Sequence, residues 1–420
     1  MIRHALVLLL LFSLPAQAGD GHHHHGWTPD SCSSMMAWDP TIQMCQPLPM
    51  AGMPMSMLMV HGNIYGGFNS AFGARARQAW FTTDMVMADL GTSVGDSHYL
   101  AVDLMLSSEK WTLPATGYPL LFQIGEEDQN GNPFTDAQHP HNSPIMGITF
   151  SDTIRLTEDR NYLKLYFAPR GEATDGPVAF MHRASALMNP DAPLGHHIGQ
   201  DVGHVTSTVI GGALQWHDKR FELSTFNGTE PSPTKVDLPI DVPNSLAGRF
   251  TEQWCNQLST MISLAYVRRP EPGQPQLDHV WRYSGSAYLH YGVLGDWMLD
   301  DALIYGGISP YDAAAGTLHS FLEEFRLHNE HAQIWGRVEI LERTPALLGV
   351  FATSPNNPIW ITAVTLGYTH IITHFQELAV GVGASVSKDF VPAALSAAYG
   401  GNPWAAKVFL YAGGMKMWDF

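Results

Sequence analysis

A 420-residue chain with a formal net charge of −17 is poorly matched to nucleic acid or anionic lipid and well matched to attracting cations. Its 45% hydrophobic and 15% charged residues, with 39 Gly, 12 Trp, 14 Tyr and 19 Phe, suit many short strands and turns. Histidine (21) and methionine (19) are both abundant, which directs attention to metal chemistry.

The first element is a secretory leader. Arg3 and His4 precede the apolar run Ala5–Phe12, and Ala16, Gln17 and Ala18 form a small-x-small cleavage site. The expected signal peptide is therefore 1–18, with Gly19 opening the mature chain. No later stretch approaches the roughly 20 unbroken apolar residues of a membrane helix. Residues 19–54 read as a flexible tail of Ser, Pro, His and Met clusters without a period. In it His22, His23, His24 and His25 form an imidazole run that would hold Cu(II), Ni(II) or Zn(II) loosely. Met35, Met36, Met44, Met50, Met53 and Met55 add thioethers, which select Cu(I) over hard ions. Met53, Met55, Met57 and Met59 alternate, so they form either a thioether stripe or the gap-filling start of the first strand. In an oxidising compartment Cys32 and Cys45 pair by default; reduced, they are soft ligands instead.

From Met57 the pattern becomes runs of about ten residues with period-two alternation. Sixteen begin near 57, 79, 98, 144, 161, 204, 219, 245, 258, 279, 296, 318, 331, 359, 375 and 404. In His279–Tyr291, Trp281, Tyr283, Ala287, Leu289 and Tyr291 share one face while Arg282, Ser284, Ser286 and His290 share the other. Eight residues of strand span about 26 Å, comparable to the apolar band of a membrane barrel. Connections alternate between short, as in Trp216–Lys219, and long, as in Gly171–Gly203. The expected fold is a closed antiparallel transmembrane β-barrel of about sixteen strands (14–18) over 55–420. The expected location is the outer membrane, in contact with its lipid and lipopolysaccharide. Phe420 with Trp418 before it suits a barrel terminus, although Lys416 falls on the lipid face and must snorkel. Tyr118–Glu127 would make a seventeenth strand; it is placed instead inside the long loop Ser107–Ser143, folded into the lumen.

Two long loops on one side carry the chemistry. Asp136–Ser143 holds His139 and His141, and Gly176–His204 holds His182, His196, His197 and His204 with Arg183 and Asp201. Neutral imidazole is the commonest metal ligand, so these six read as a shared site. The other reading is that they cap turns, bonding Asp136, Asp201 and carbonyls. Adjacent His196 and His197 cannot both face one point, and Arg183 is expected to pair with Asp201 or Glu126.

The segment from Phe122 to His204 resembles a family of Gram-negative outer-membrane proteins. The resemblance lies in Gln123–Glu126, Gln138–His141, Phe180–Arg183 and Ala192–His197, with Asn142 standing where such sequences often have an acidic residue. It implies association with copper and heavy-metal tolerance, a copper ion as cargo, and periplasmic metal-handling proteins as partners. It carries no catalytic residue. Two other functions stay open: a plain porin-like channel with Arg282, Arg337 and Glu339 setting selectivity, and an outer-membrane hydrolase built on Ser185, His182 and Asp201.

Overall fold

The computed structural model describes residues 29–420, apart from 34, 115, 128–132, 139, 142, 202, 232–235, 271–276 and 312–313. The leader, His22, His23, His24, His25, His139 and Asn142 lie outside the described residues.

Sixteen strands close a barrel. They are β3 (Ser56–Phe72), β4 (Gln78–Val94), β5 (His98–Leu106), β8 (Ile145–Arg155), β9 (Tyr162–Gly171) and β10 (Thr206–Trp216). Next come β11 (Lys219–Asn227), β12 (Ser245–Cys255), β13 (Leu258–Arg268), β14 (His279–Leu294) and β15 (Trp297–Ser309). The wall ends with β16 (Leu318–His328), β17 (Ala332–Arg343), β18 (Ile359–Phe375), β19 (Leu378–Phe390) and β20 (Trp404–Asp419). All neighbours are antiparallel, and β20 returns to β3 in unbroken register from Trp404↔Phe72 to Asp419↔Met57. Two short hairpins stand apart from the wall: β1 (Met36–Asp39) with β2 (Met44–Pro47), and β6 (Tyr118–Glu127) with β7 (Pro133–Gln138).

The alternation has a direct physical cause. Outward positions meet hydrocarbon and stay apolar, as Leu100, Phe150, Leu165, Ile210, Leu264 and Val408 show by their exposure. Inward positions of the wall carry Arg220, Arg249, Arg282, Arg326 and Arg337, all buried. Aromatic rings gird both rims. Trp80, Trp281, Trp360 and Trp404 lie at the long-loop end, and Trp216, Trp254, Phe375 and Trp418 at the short-turn end. Lys416 reaches the second rim, where its Nζ donates to Gln376 Oε1 at 2.8 Å. The short turns include Gly95 and Gly295, at φ +64° and +62°, a conformation glycine adopts without strain. By the rule for these barrels, short turns face the periplasm and long loops the exterior.

The lumen is filled from both ends. From the long-loop end, residues 172–205 turn inward beside β-bulges on β8–β9 and β10–β11. The β6–β7 hairpin follows it in, with Tyr118 and Phe122 fully buried. From the short-turn end comes the segment expected to be a flexible tail. From Pro29 it instead forms the β1–β2 hairpin, closed by the Cys32–Cys45 disulfide, with Asp39 paired to Arg220 of the wall at 3.2 Å. The reading of 19–54 as wholly flexible is corrected there: Ala37, Asp39 and Leu48 are buried because the lumen gives this segment a surface to pack on. The two insertions touch where the Ala184 amide donates to Gln43 Oε1 at 2.8 Å. Cavities beside the hairpin hold only ≈ 30 Å³ and ≈ 20 Å³.

Candidate metal centre

The 172–205 loop is held by charge and by close backbone approach. Glu324 on β16 receives Arg183 of the loop at 2.9 Å and Arg337 of β17 at 2.6 Å. Arg183 therefore pairs with Glu324 of the wall, and not with Asp201, one of its two expected partners; the Glu126 side chain lies outside the described residues. Arg282 meets Asp175 at 3.1 Å and Glu230 at 3.2 Å, while Glu339 accepts the Leu194 amide. These inward charges are matched by the inserted loop and do not line an open passage. At the loop tip Gly199, with φ +70°, sits against Gly306 and Gly307 of β15, and a Cβ there would meet Gly307 N at 2.9 Å.

Around this turn His196 and His204 come together on Asp201, and a third imidazole joins them from the other loop. His196 Nδ1 and His204 Nδ1 each lie 3.4 Å from an Asp201 oxygen, and His204 Nδ1 is 3.2 Å from the Asp201 carbonyl. Ligand atoms of His196, Asp201 and His204 all fall within 4.8 Å of one another. From the other loop comes His141, whose Nε2 is 3.4 Å from His204 Nε2. Its Nδ1 and backbone amide bind Glu109 Oε2 at 2.8 and 2.9 Å. Glu109 opens a single helical turn, Glu109–Thr112, just after β5, and is itself buried.

Both facing imidazoles thus have Nδ1 engaged by a carboxylate and Nε2 turned toward the other. Carboxylates at Nδ1 are how metal-binding histidines are oriented and made more basic. Two nitrogens bound tetrahedrally at about 2.0–2.1 Å lie roughly 3.3–3.4 Å apart, so the observed separation fits a shared cation.

Protonation favours the same use at His182 and His196, and opposes it at His204. Burial, with His61 nearby, pushes the His182 imidazole down to about 4, and burial with His197 pushes His196 down to about 3. Both present lone pairs at neutral pH. Burial alone would raise Asp201, but the attraction of His204 and hydrogen bonds from His196 and His204 hold its carboxyl well below the usual range. His204 is pushed down by burial and more strongly up by Asp201, with a net upward shift.

The other sequence candidates scatter. His197 turns from the cluster toward Glu230, 3.7 Å away. His182 is buried beside it, close enough to feel Asp201 and His204. Asp136 serves the Phe122 amide at 2.8 Å, Tyr399 at 2.9 Å and Arg75 at 3.0 Å. Ser185 donates to Glu324 at 2.9 Å, so the Ser–His–Asp grouping does not form. Met53 is exposed, whereas Met55 is buried with Met57 and Cys32, so the two share no face. Sequence reasoning missed Glu109, thirty-two residues from His141 and without any local motif, and His61, whose inward position alternation in the first strand does reveal.

A sealed antiparallel barrel with apolar exterior, aromatic rims and polar lumen is a porin-like protein of the outer membrane. The solved structures it is similar to are Gram-negative outer-membrane porins. The OmpF of Salmonella typhi, solved in complex with daunomycin, aligns at TM-score 0.53 and 9% identity, over 86% of this chain and 97% of that one. An anion-selective porin from Comamonas acidovorans aligns at TM-score 0.49 and 12% identity, over 86% and 99%. The channel DcaP of Acinetobacter baumannii aligns at 0.45 and 10%, over 86% and 97%. No protein-family model matches the chain. No curated protein matches it either.

Proposed function

We propose that this barrel binds a transition-metal cation, copper foremost, at the His141–His196–His204 cluster and serves metal passage or tolerance at the outer membrane. The observation that carries the reading is the pair of carboxylate-oriented imidazoles with Nε2 atoms 3.4 Å apart in a buried, acid-rich setting. Imidazole suits copper and zinc alike, so charge and ligand type narrow the cargo to that class. His22, His23, His24 and His25 would gather the ion on the periplasmic side, where periplasmic metal-handling proteins are the natural partners.

The test is calorimetric titration of Zn(II) and Cu(II) into the purified barrel carrying alanine at His22, His23, His24 and His25. One tight site is expected, lost in His141→Gln/His204→Gln. Glu109→Gln, which removes an orienting carboxylate, should weaken it by about 10–100-fold. Equal binding by wild type and the double variant would discard the site. A plain diffusion channel is the second reading, favoured by the likeness in fold to OmpF. Loop histidines would then be structural.

A further inference from the structure

The register of the wall places a second set of metal-ligating side chains below the histidine cluster, on strands the loops only partly cover. Across β20, β3, β4 and β5, Met415 pairs with His61, His61 with Met87, and Met87 with Met105. The next inward row, toward the short-turn end, pairs Met417 with Met59, Met59 with Asp89, and Asp89 with Asp103. Directly opposed residues in antiparallel strands have Cβ atoms about 4.5–5.5 Å apart, within mutual reach of thioethers. These positions share the parity of buried Tyr65 and Tyr411, which face the lumen, while the alternate residues Ile64, Leu90 and Val102 are exposed to lipid; Met417, at the short-turn rim, is itself exposed.

The rows continue at both ends. Above, Met85, Met105 and Met146 form one buried cluster, with Met87, Met181 and Val205 packed on it. Met181 adjoins His182 and Val205 adjoins His204, so the cluster begins where the histidine site ends. Below, Met57 and Met55 are buried with Met36 beside the Cys32–Cys45 disulfide of the hairpin.

Gap filling does not account for this distribution. Methionine is the adaptable filler of irregular cores and would be spread among them. The largest apolar cluster in the protein, built on Phe122, Ile198, Val267, Leu318, Leu341 and Leu395, contains no methionine at all. Among the described residues the thioethers concentrate on one strip of wall, with an imidazole and two carboxylates set among them; His61 Nε2 lies 3.2 Å from Asp89 Oδ2.

We infer that this strip is a binding track for a soft monovalent cation, Cu(I) or its redox-inert analogue Ag(I), leading from the histidine cluster to the short-turn end. The inference deepens the metal-handling reading and rests on it. Thioethers compete with water for soft ions and not for Mg(II) or Ca(II), which gives selectivity. The carboxylates of Asp89 and Asp103 supply the negative field that a cation needs inside a barrel. Several adjacent weak sites, rather than one closed cage, let an ion be held and then handed on.

The experiment is equilibrium dialysis of Ag(I) in chloride-free buffer against the full-length barrel with alanine at His22, His23, His24 and His25. It is compared with the same chain carrying Met87→Leu/Met105→Leu/Met415→Leu. Leucine conserves volume, and an unchanged thermal midpoint verifies the fold. Wild type is expected to bind Ag(I), the triple variant about tenfold or more weakly, with the Zn(II) titration unchanged. If the triple variant does not fold, the single Met87→Leu and Met415→Leu variants are read the same way, each with a several-fold loss expected. Unaltered Ag(I) affinity in the leucine variants, or no Ag(I) uptake by wild type, overturns the track. Zn(II) binding that survives such a result leaves the histidine site standing. Methionine-dependent Ag(I) uptake without any Zn(II) site supports the track and removes the histidine site instead.

Discussion

Glu324 ties the plug to the wall through two side chains of the loop. It is buried, and it accepts from Arg183 and Ser185 of the loop and from Arg337 of β17. Two guanidinium groups around one carboxylate are tolerable in a dry lumen only while all three are present, since breaking such a pair leaves an uncompensated buried charge. Glu324→Leu is therefore expected to destabilise the barrel by about 3–5 kcal/mol, read as a lowered denaturant midpoint. A change below about 0.5 kcal/mol, the scale of surface substitutions, would mean that water reaches these guanidinium groups and that the loop is less firmly seated. Similar matching recurs at Glu222, which takes both Arg220 at 3.2 Å and Arg249 at 2.8 Å.

At the scale of elements, the β1–β2 hairpin makes the sharpest expectation. It contributes no strand to the sixteen-stranded wall, so a chain lacking 30–47 should still fold as a barrel. Its loss should uncover the inner end of the plug at Ala184. In a Cys255→Ser background, Ala184→Cys is expected to resist a membrane-impermeant maleimide in the full chain and to react from the short-turn side once 30–47 are removed. Equal protection in both would mean that the hairpin does not seal that end. This hairpin also marks where sequence reading stopped. The wall strands begin within about three residues of their expected starts, because lipid outside and polar lumen inside impose a period of two over many turns of chain. Met36–Asp39 and Met44–Pro47 are four residues each, touch no lipid and carry no such period. The same limit applies to the site. Its histidines were visible as a composition of two loops, but which of them converge depends on Glu109, Gly199 and Glu324, and these contacts span tens to more than a hundred residues.

At the scale of the whole molecule, two insertions that meet at Gln43 and Ala184 block the axis. The barrel is expected to show no steady porin-sized conductance on insertion into planar bilayers, and to gain one when Glu324→Leu is combined with loss of 30–47. A large ohmic step from the intact protein at first insertion would set aside the sealed lumen and favour the plain channel.

The seam between β20 and β3 bears on how such an object is put together. The cylinder is completed only when β20 pairs with β3, strands separated in sequence by the whole of the wall. The 172–205 segment leaves and rejoins the wall between the paired strands β9 and β10, so both of its ends are anchored there. The disulfide-linked hairpin hangs from β3, at the closing edge itself. Tethered to the wall at one end only, it can enter the lumen without threading the chain through a closed cylinder.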